Sequence, residues 1–171
     1  MSKELTNNFV GLFSSRLTTL GHILDISERY FNENAESILG FDLIDDMLPF
    51  GAQIAYTCDQ PCNFSLWCRN QESSNLSPEL DSLTMARDLI ERTKSQLEGL
   101  ELKESKFSEI KRINIGGDQY LELEGINYIQ DFLIPNFYFH LVTAYNIMRM
   151  KGVPLGKVNY NSHLAPFIRA A

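Results

Sequence analysis

From about Leu5 to Phe31 the apolar residues recur at helical spacing. At about 100° per residue, Leu5, Phe9, Leu12, Phe13, Leu17, Leu20, Ile23, Leu24, Ile26, Tyr30 and Phe31 share one broad face. Thr18, His22, Asp25 and Arg29 gather opposite, which sets His22 toward water and away from any ligand role. A second helix is predicted to start near Asp45 and Asp46, whose charges suit a first turn, with Pro49 tolerable that early. Met47, Phe50, Ile54, Cys58 and Cys68 form its apolar face, and Pro61 should kink or split it. Gln71 to Asn75 reads as polar loop, and Ser77-Pro78-Glu79 as a helix start. A third helix then carries Leu80, Leu83, Ala86, Leu89, Ile90 and Leu97, stopping near Gly99.

The period changes after that. Lys111 to Ile115 and Gln119 to Leu123 alternate polar and apolar residues around Gly116-Gly117-Asp118, a hairpin signal. The fourth helix is expected from about Gly125 to Lys151, ended by Gly152 and Pro154. It is apolar nearly all round, as a central or interface-forming helix would be. Pro135 predicts a kink in it, or else the place where it begins. Tyr160 and Phe167 should bring the tail down onto the body. The pattern thus predicts one all-α domain over residues 1–171, a four-helix bundle with a small hairpin before the last long helix.

Charge narrows the function classes. The chain carries 22 acidic and 15 basic residues, a net charge of −7, and the basic ones are scattered. That excludes a nucleic-acid partner, which needs clustered Lys and Arg. No apolar run reaches the roughly 18–20 residues of a membrane span. The first eight residues lack the apolar core of a signal peptide, so a cytoplasmic protein is expected. Cys58, Cys62 and Cys68 are an odd, clustered set and read as reduced thiols rather than a disulfide framework.

One polar spot interrupts the apolar stripe of the fourth helix. Asn127, Asp131, Tyr138, Tyr145 and Arg149 group on an outer side, whereas Asn136, His140 and Thr143 are interleaved with Ile129, Phe132, Leu133 and Ile147. Asp46, Gln53 and Thr57 line a shoulder of helix two that could face them. Two readings stand: a satisfied network that fixes helix register, or a ligand or catalytic pocket.

Asp46-Met47-Leu48-Pro49 with Gln53, Ile134-Pro135-Asn136-Phe137-Tyr138-Phe139-His140 with Ala144-Tyr145 and Arg149, and Gly152-Val153-Pro154-Leu155-Gly156-Lys157 carry a resemblance over almost the whole chain. They resemble the bacterial family called domain of unknown function nineteen ninety-three, grouped with the DinB-like (YfiT-like) metalloenzymes. The resemblance implies an up-down-down-up four-helix bundle, often dimeric. Better-characterised DinB-like proteins hold a divalent metal with three histidines, one on helix two and a pair four residues apart on helix four. Those places fall here near Gln53 and on Asn136 and His140. Amides are poor ligands for zinc or nickel, so no metal or other cofactor is expected.

The candidate pocket is therefore Gln53, Asn136, His140, Asp46 and Thr143. The first expectation is small-molecule binding or metal-independent chemistry there, with His140 as base or as an orienting group. The second is a non-catalytic homodimer or partner-binding module with a structural polar core, which the aromatics Phe132, Phe137, Tyr138 and Phe139 would suit. A metal-dependent hydrolase or transferase ranks third.

Overall fold

The computed structural model describes residues 2–169. α1 spans Ser2–Phe31 and ends where Asn32 takes a left-handed φ of 48°. A 3-10 segment, Asn32–Gly40, buries Ala35, Ile38 and Leu39 and so belongs to the core. α2 spans Phe50–Cys68 and α3 Leu83–Gln96. β1 (Ile110–Gly116) and β2 (Gln119–Glu124) form the antiparallel hairpin, turning through Gly117 and Asp118, both at positive φ. The last long helix, α4, is built of three consecutive pieces: Gly125–Asn127, a π-turn at Tyr128–Leu133, and Ile134–Met150. A short α5, Lys157–Tyr160, and a 3-10 turn, Ser162–Phe167, lead back across α1.

The all-α bundle with one hairpin is what the pattern predicts, but several boundaries differ. α2 does not begin at Asp45 and Asp46. Those residues lie exposed in a turn, and the Phe50 N–H donates to the Phe41 carbonyl at 2.7 Å, closing the loop just before the helix. α3 does not begin at Ser77 either. Its N-cap is Ser82, whose Oγ accepts the Met85 N–H at 3.1 Å, while Glu36 accepts the Leu83 N–H at 3.0 Å. The segment before it stays irregular because α2 side chains hold its backbone.

Pro61 does not split its helix, whereas Pro135 stands at the head of an α-helical piece, one of the two outcomes expected of it. α2 runs without interruption through Pro61. The lost bond is the one the Thr57 carbonyl would have accepted, and packing of a helix buried on nearly every side outweighs it. In α4 the π-turn lies immediately before Pro135, so one extra residue per turn absorbs the missing donor and the ring's clash. The same turn breaks the even helical phase. Asn127 and Asp131 are exposed and hydrogen-bonded to each other at 2.8 Å, whereas Tyr138 and Tyr145 are half-buried rather than on one outer side with them.

The core joins Phe13, Leu17, Leu20 and Leu24 of α1 to Phe50, Ile54 and Phe64 of α2 and to Phe137, Leu141 and Ile147 of α4. Phe13 packs edge-on to Phe137 at 5.1 Å. The base of the hairpin is fixed by close approach: a Cβ on Gly125 would stand 2.0 Å from the Lys106 carbonyl and 2.7 Å from the Trp67 ring. His22 is half-buried, with Nε2 3.5 Å from the Asn159 amide, so it does not point freely into water. In the tail Tyr160 packs on Tyr145 at 5.7 Å, but Phe167 remains 73% exposed. Among the described residues no helix is long and apolar enough to cross a membrane.

Candidate functional site

α2 and α4 lie against each other, and the pairing brings Gln53 to His140. His140 Nδ1 is 2.8 Å from Gln53 Oε1. The Gln53 amide nitrogen donates to the Leu48 carbonyl at 2.9 Å, so its oxygen is left as the acceptor. His140 therefore carries its proton on Nδ1 and keeps the Nε2 lone pair. Burial lowers the His140 pKa below the ordinary histidine range, so the ring is neutral at pH 7. Tyr56 lies over the ring at 5.3 Å and Phe139 meets it edge-on at 5.2 Å. The residue is only half-buried.

The other three members of the predicted pocket do not join this pair. Asn136 donates to the Phe132 carbonyl at 2.7 Å, and the Thr143 hydroxyl to the Phe139 carbonyl at 2.7 Å, each one turn back on its own helix. Thr57 does the same toward Gln53 O at 2.7 Å. Asp46 sits outside α2 and is hydrogen-bonded to neither Gln53 nor His140 among the described residues.

The most polar part of the groove lies two turns further along α2. Asp59 Oδ1 accepts the Leu76 N–H at 2.8 Å, and its Oδ2 accepts from Asn63 Nδ2 at 3.0 Å. Asn63 also donates to Ser74 O and accepts the Ser74 N–H, both at 3.0 Å. Desolvation raises the Asp59 pKa, while the bonds from Leu76 and Asn63 pull it back down. Beside this clamp is a hollow of about 540 Å³. Asp59, Gln60 and Asn63 of α2, Tyr128 and Phe132 of α4, and Lys111, Arg112 and Asn114 of the hairpin stand in its wall. Burial drives the Tyr128 phenol up to about 12. Neither Gln53 nor His140 borders the hollow.

The sequence carried a signal for this region. Asp59 and Asn63 stand one turn apart on a helix that is otherwise mostly small or apolar, Gln53 and Gln60 apart. In the fold the 71–76 segment covers this side of α2 through its bonds to Asp59 and Asn63.

The metal implied by the wider superfamily is a poor match to these donors. Gln53 Oε1 is already taken by the His140 N–H, Asn136 is a neutral amide, and only one imidazole remains. Such a set offers no negative charge to offset a divalent transition metal. Among the described residues no group of three or more His, Cys, Asp or Glu is placed to hold a metal ion.

Comparison with known proteins agrees with this architecture. A family model described as Domain of unknown function (DUF1993) matches residues 5–161. A solved structure, a DinB family member protein from Shewanella denitrificans, superposes with a TM-score of 0.75 at 26% identity, covering 93% of this chain and 92% of that one. No curated protein matches the chain.

Proposed function

The chain belongs to the family described as Domain of unknown function (DUF1993), and from that premise we propose that it binds a small polar molecule in the groove between α2 and α4. The observation that carries this reading is the hollow of about 540 Å³ with buried amide and carboxylate side chains in its wall. That volume falls in the range of small-molecule sites, roughly 300–1,000 Å³, and the wall supplies both donors and acceptors. Lys111 and Arg112 with Glu72 and Asp59 favour a ligand that carries both signs of charge or several hydroxyl and amide groups.

His140 has a separate part in this reading. Seven residues of helix separate Gln60 from Gln53, about 10 Å at 1.5 Å per residue, so a ligand that touches both the hollow and His140 has to be elongated. A neutral imidazole with one nitrogen fixed can accept a proton or a hydrogen bond from that ligand. The chemistry is independent of metal because the donors around His140 do not suit one.

The test is to equilibrate the purified protein with a pool of polar metabolites and identify what it retains by mass spectrometry. Retention of one compound class, lost in Gln60→Leu and in Asn114→Leu, is expected. Retention of nothing above a blank, or retention unchanged in both variants, would remove the reading.

A specific observation favours a second use of the same helix. Phe139, Val142 and Met150 are exposed on α4 at 56%, 38% and 49%. Their helical spacing makes a stripe suited to a second copy of the chain. In that reading Phe139 contacts the partner and brings it against His140. Light scattering at tens of micromolar protein separates the two: a dimer turned into a monomer by Phe139→Ser supports it, and a monomer from the start ends it.

A further inference from the structure

Three shielded side-chain polar atoms lack a hydrogen-bond partner among the described residues, and two of them belong to one corner: Arg16 Nε and His163 Nδ1. Here α1 meets the C-terminal segment, with the Thr19 and Ser162 hydroxyls 3.1 Å apart. Arg16 is half-buried. Its Nη1 donates to Ser15 Oγ at 2.8 Å, and among the described residues no carboxylate pairs with it, unlike Arg87, which is held by Asp25 and Glu28. Its electrostatic neighbours are Tyr160 and His163. Tyr138 in turn lies close to Tyr160. The Tyr160 carbonyl lies near the His163 ring without making a well-aligned bond to it.

None of the groups named in this corner is acidic, in a chain that carries 22 acidic residues. A half-hidden guanidinium with no counter-charge is costly, and an orphaned donor in a shielded position points to a missing partner. The two orphaned atoms are both nitrogens, one of them permanently an N–H donor, and the Ser15 hydroxyl already takes the Arg16 Nη1 bond. We propose that this corner binds an oxyanion group of a small molecule, a carboxylate or a phosphate, held side-on by Arg16 Nε and Nη2 and received by His163. The side-on edge of a guanidinium presents two parallel N–H bonds, the geometry that matches two oxygens of either group. His163 is then the responsive member: burial and the Arg16 charge hold its pKa down, and an anion between them removes the second cause.

This site is separate from the α2–α4 groove, so it stands or falls independently of the function proposed above. The test uses the whole protein in phosphate-free, low-salt buffer, with sodium phosphate, sodium acetate or sodium chloride added at matched ionic strength. The His163 ring protons are followed by NMR across pH 5 to 8, and melting temperature is recorded in parallel. Phosphate or acetate, but not chloride, should raise the His163 pKa by about one unit and the melting temperature by roughly 2–4 °C. The stronger of the two assigns the ligand as phosphate- or carboxylate-bearing. Arg16→Gln should abolish both responses while losing little stability in the anion-free buffer, because it removes an uncompensated charge. An equal response to chloride, or a response that survives Arg16→Gln, overturns the proposal. Should Arg16→Gln fail to fold, the wild-type His163 titration decides alone, and no oxyanion-specific shift there counts as refutation.

Discussion

α2 and the Ile134–Met150 part of α4 face each other across the groove with similar stocks of apolar residues, eleven of 19 and eleven of 17. They are buried very differently. Sixteen residues of α2 are buried, including Gln53, Asp59, Gln60, Asn63 and Ser65, against six in that part of α4. The more polar helix sits in the middle and the more apolar one at the surface. What decides burial is therefore whether polar groups find partners, since a paired amide costs little inside and an unpaired one costs about 1–3 kcal/mol. Asp59 and Asn63 of α2 are bound to the 71–76 segment, Ser65 to the Gln96 carbonyl of α3, and Thr57 to its own helix; the apolar groups of α4 that face out have no such cover.

The sharpest way to break the contrast is to unpair α2. Asn63→Ala removes the bonds to Ser74 and Asp59 and leaves a carboxylate 7% exposed with one donor fewer. It should cost about 2–4 kcal/mol in urea unfolding. A loss below about 0.5 kcal/mol would mean that the loop, not the helix, supplies the stability.

Next in size is His140→Ala, which strands the Gln53 oxygen and should cost about 1–3 kcal/mol. The effect has a pH signature. With the folded pKa lowered below the unfolded value near 6.5, the unfolded chain binds more protons in that window, so stability is full above it and falls as pH drops toward the folded pKa. His163 shares that direction, and the His140 share is the part that disappears in His140→Gln. Identical pH slopes for wild type and variant between pH 7.5 and 5.5 would exclude this assignment. Asp59 should act in the opposite sense: its raised pKa makes the folded form bind more protons, so its contribution grows as pH falls toward the unfolded value.

The smallest effects belong to α4. Phe139→Ser should change monomer stability by less than about 0.5 kcal/mol, since the ring is already largely wet. Chelator should leave the melting temperature unchanged, because the donors around His140 do not suit a transition metal. Elemental analysis finding near one zinc or nickel per chain, lost in His140→Ala, would reverse that.

Periodicity made the bundle legible: α1, the hairpin and the end of α4 at Gly152 follow directly from residue spacing. Starts were harder to read. Ser77-Pro78-Glu79 has every local feature of a helix entrance, yet the nearby chain is held by Asp59 and Asn63, and the helix waits for Ser82. The Gln53–His140 contact was readable because His140 interrupts an apolar stripe and Gln53 lines the shoulder of the helix that could face it. Asn136 and Thr143 interrupt it too, but a helix carbonyl one turn back is always within reach of a short polar side chain, and no spacing rule reveals that choice. The hollow was invisible because it needs the hairpin, the loop and two helices at once.

The π-turn at Tyr128–Leu133 makes the hairpin's aim a matter of one residue. Each residue added to a helix rotates what precedes it by about 100°. Deleting one position between 128 and 133 and restoring plain α-helix would swing Gly125 off Trp67 and carry Lys111 and Arg112 away from the groove. Within this architecture a single codon gained or lost there works as an indexing gear. It can redirect the hairpin over the groove while leaving every residue of α1, α2 and α3 unchanged.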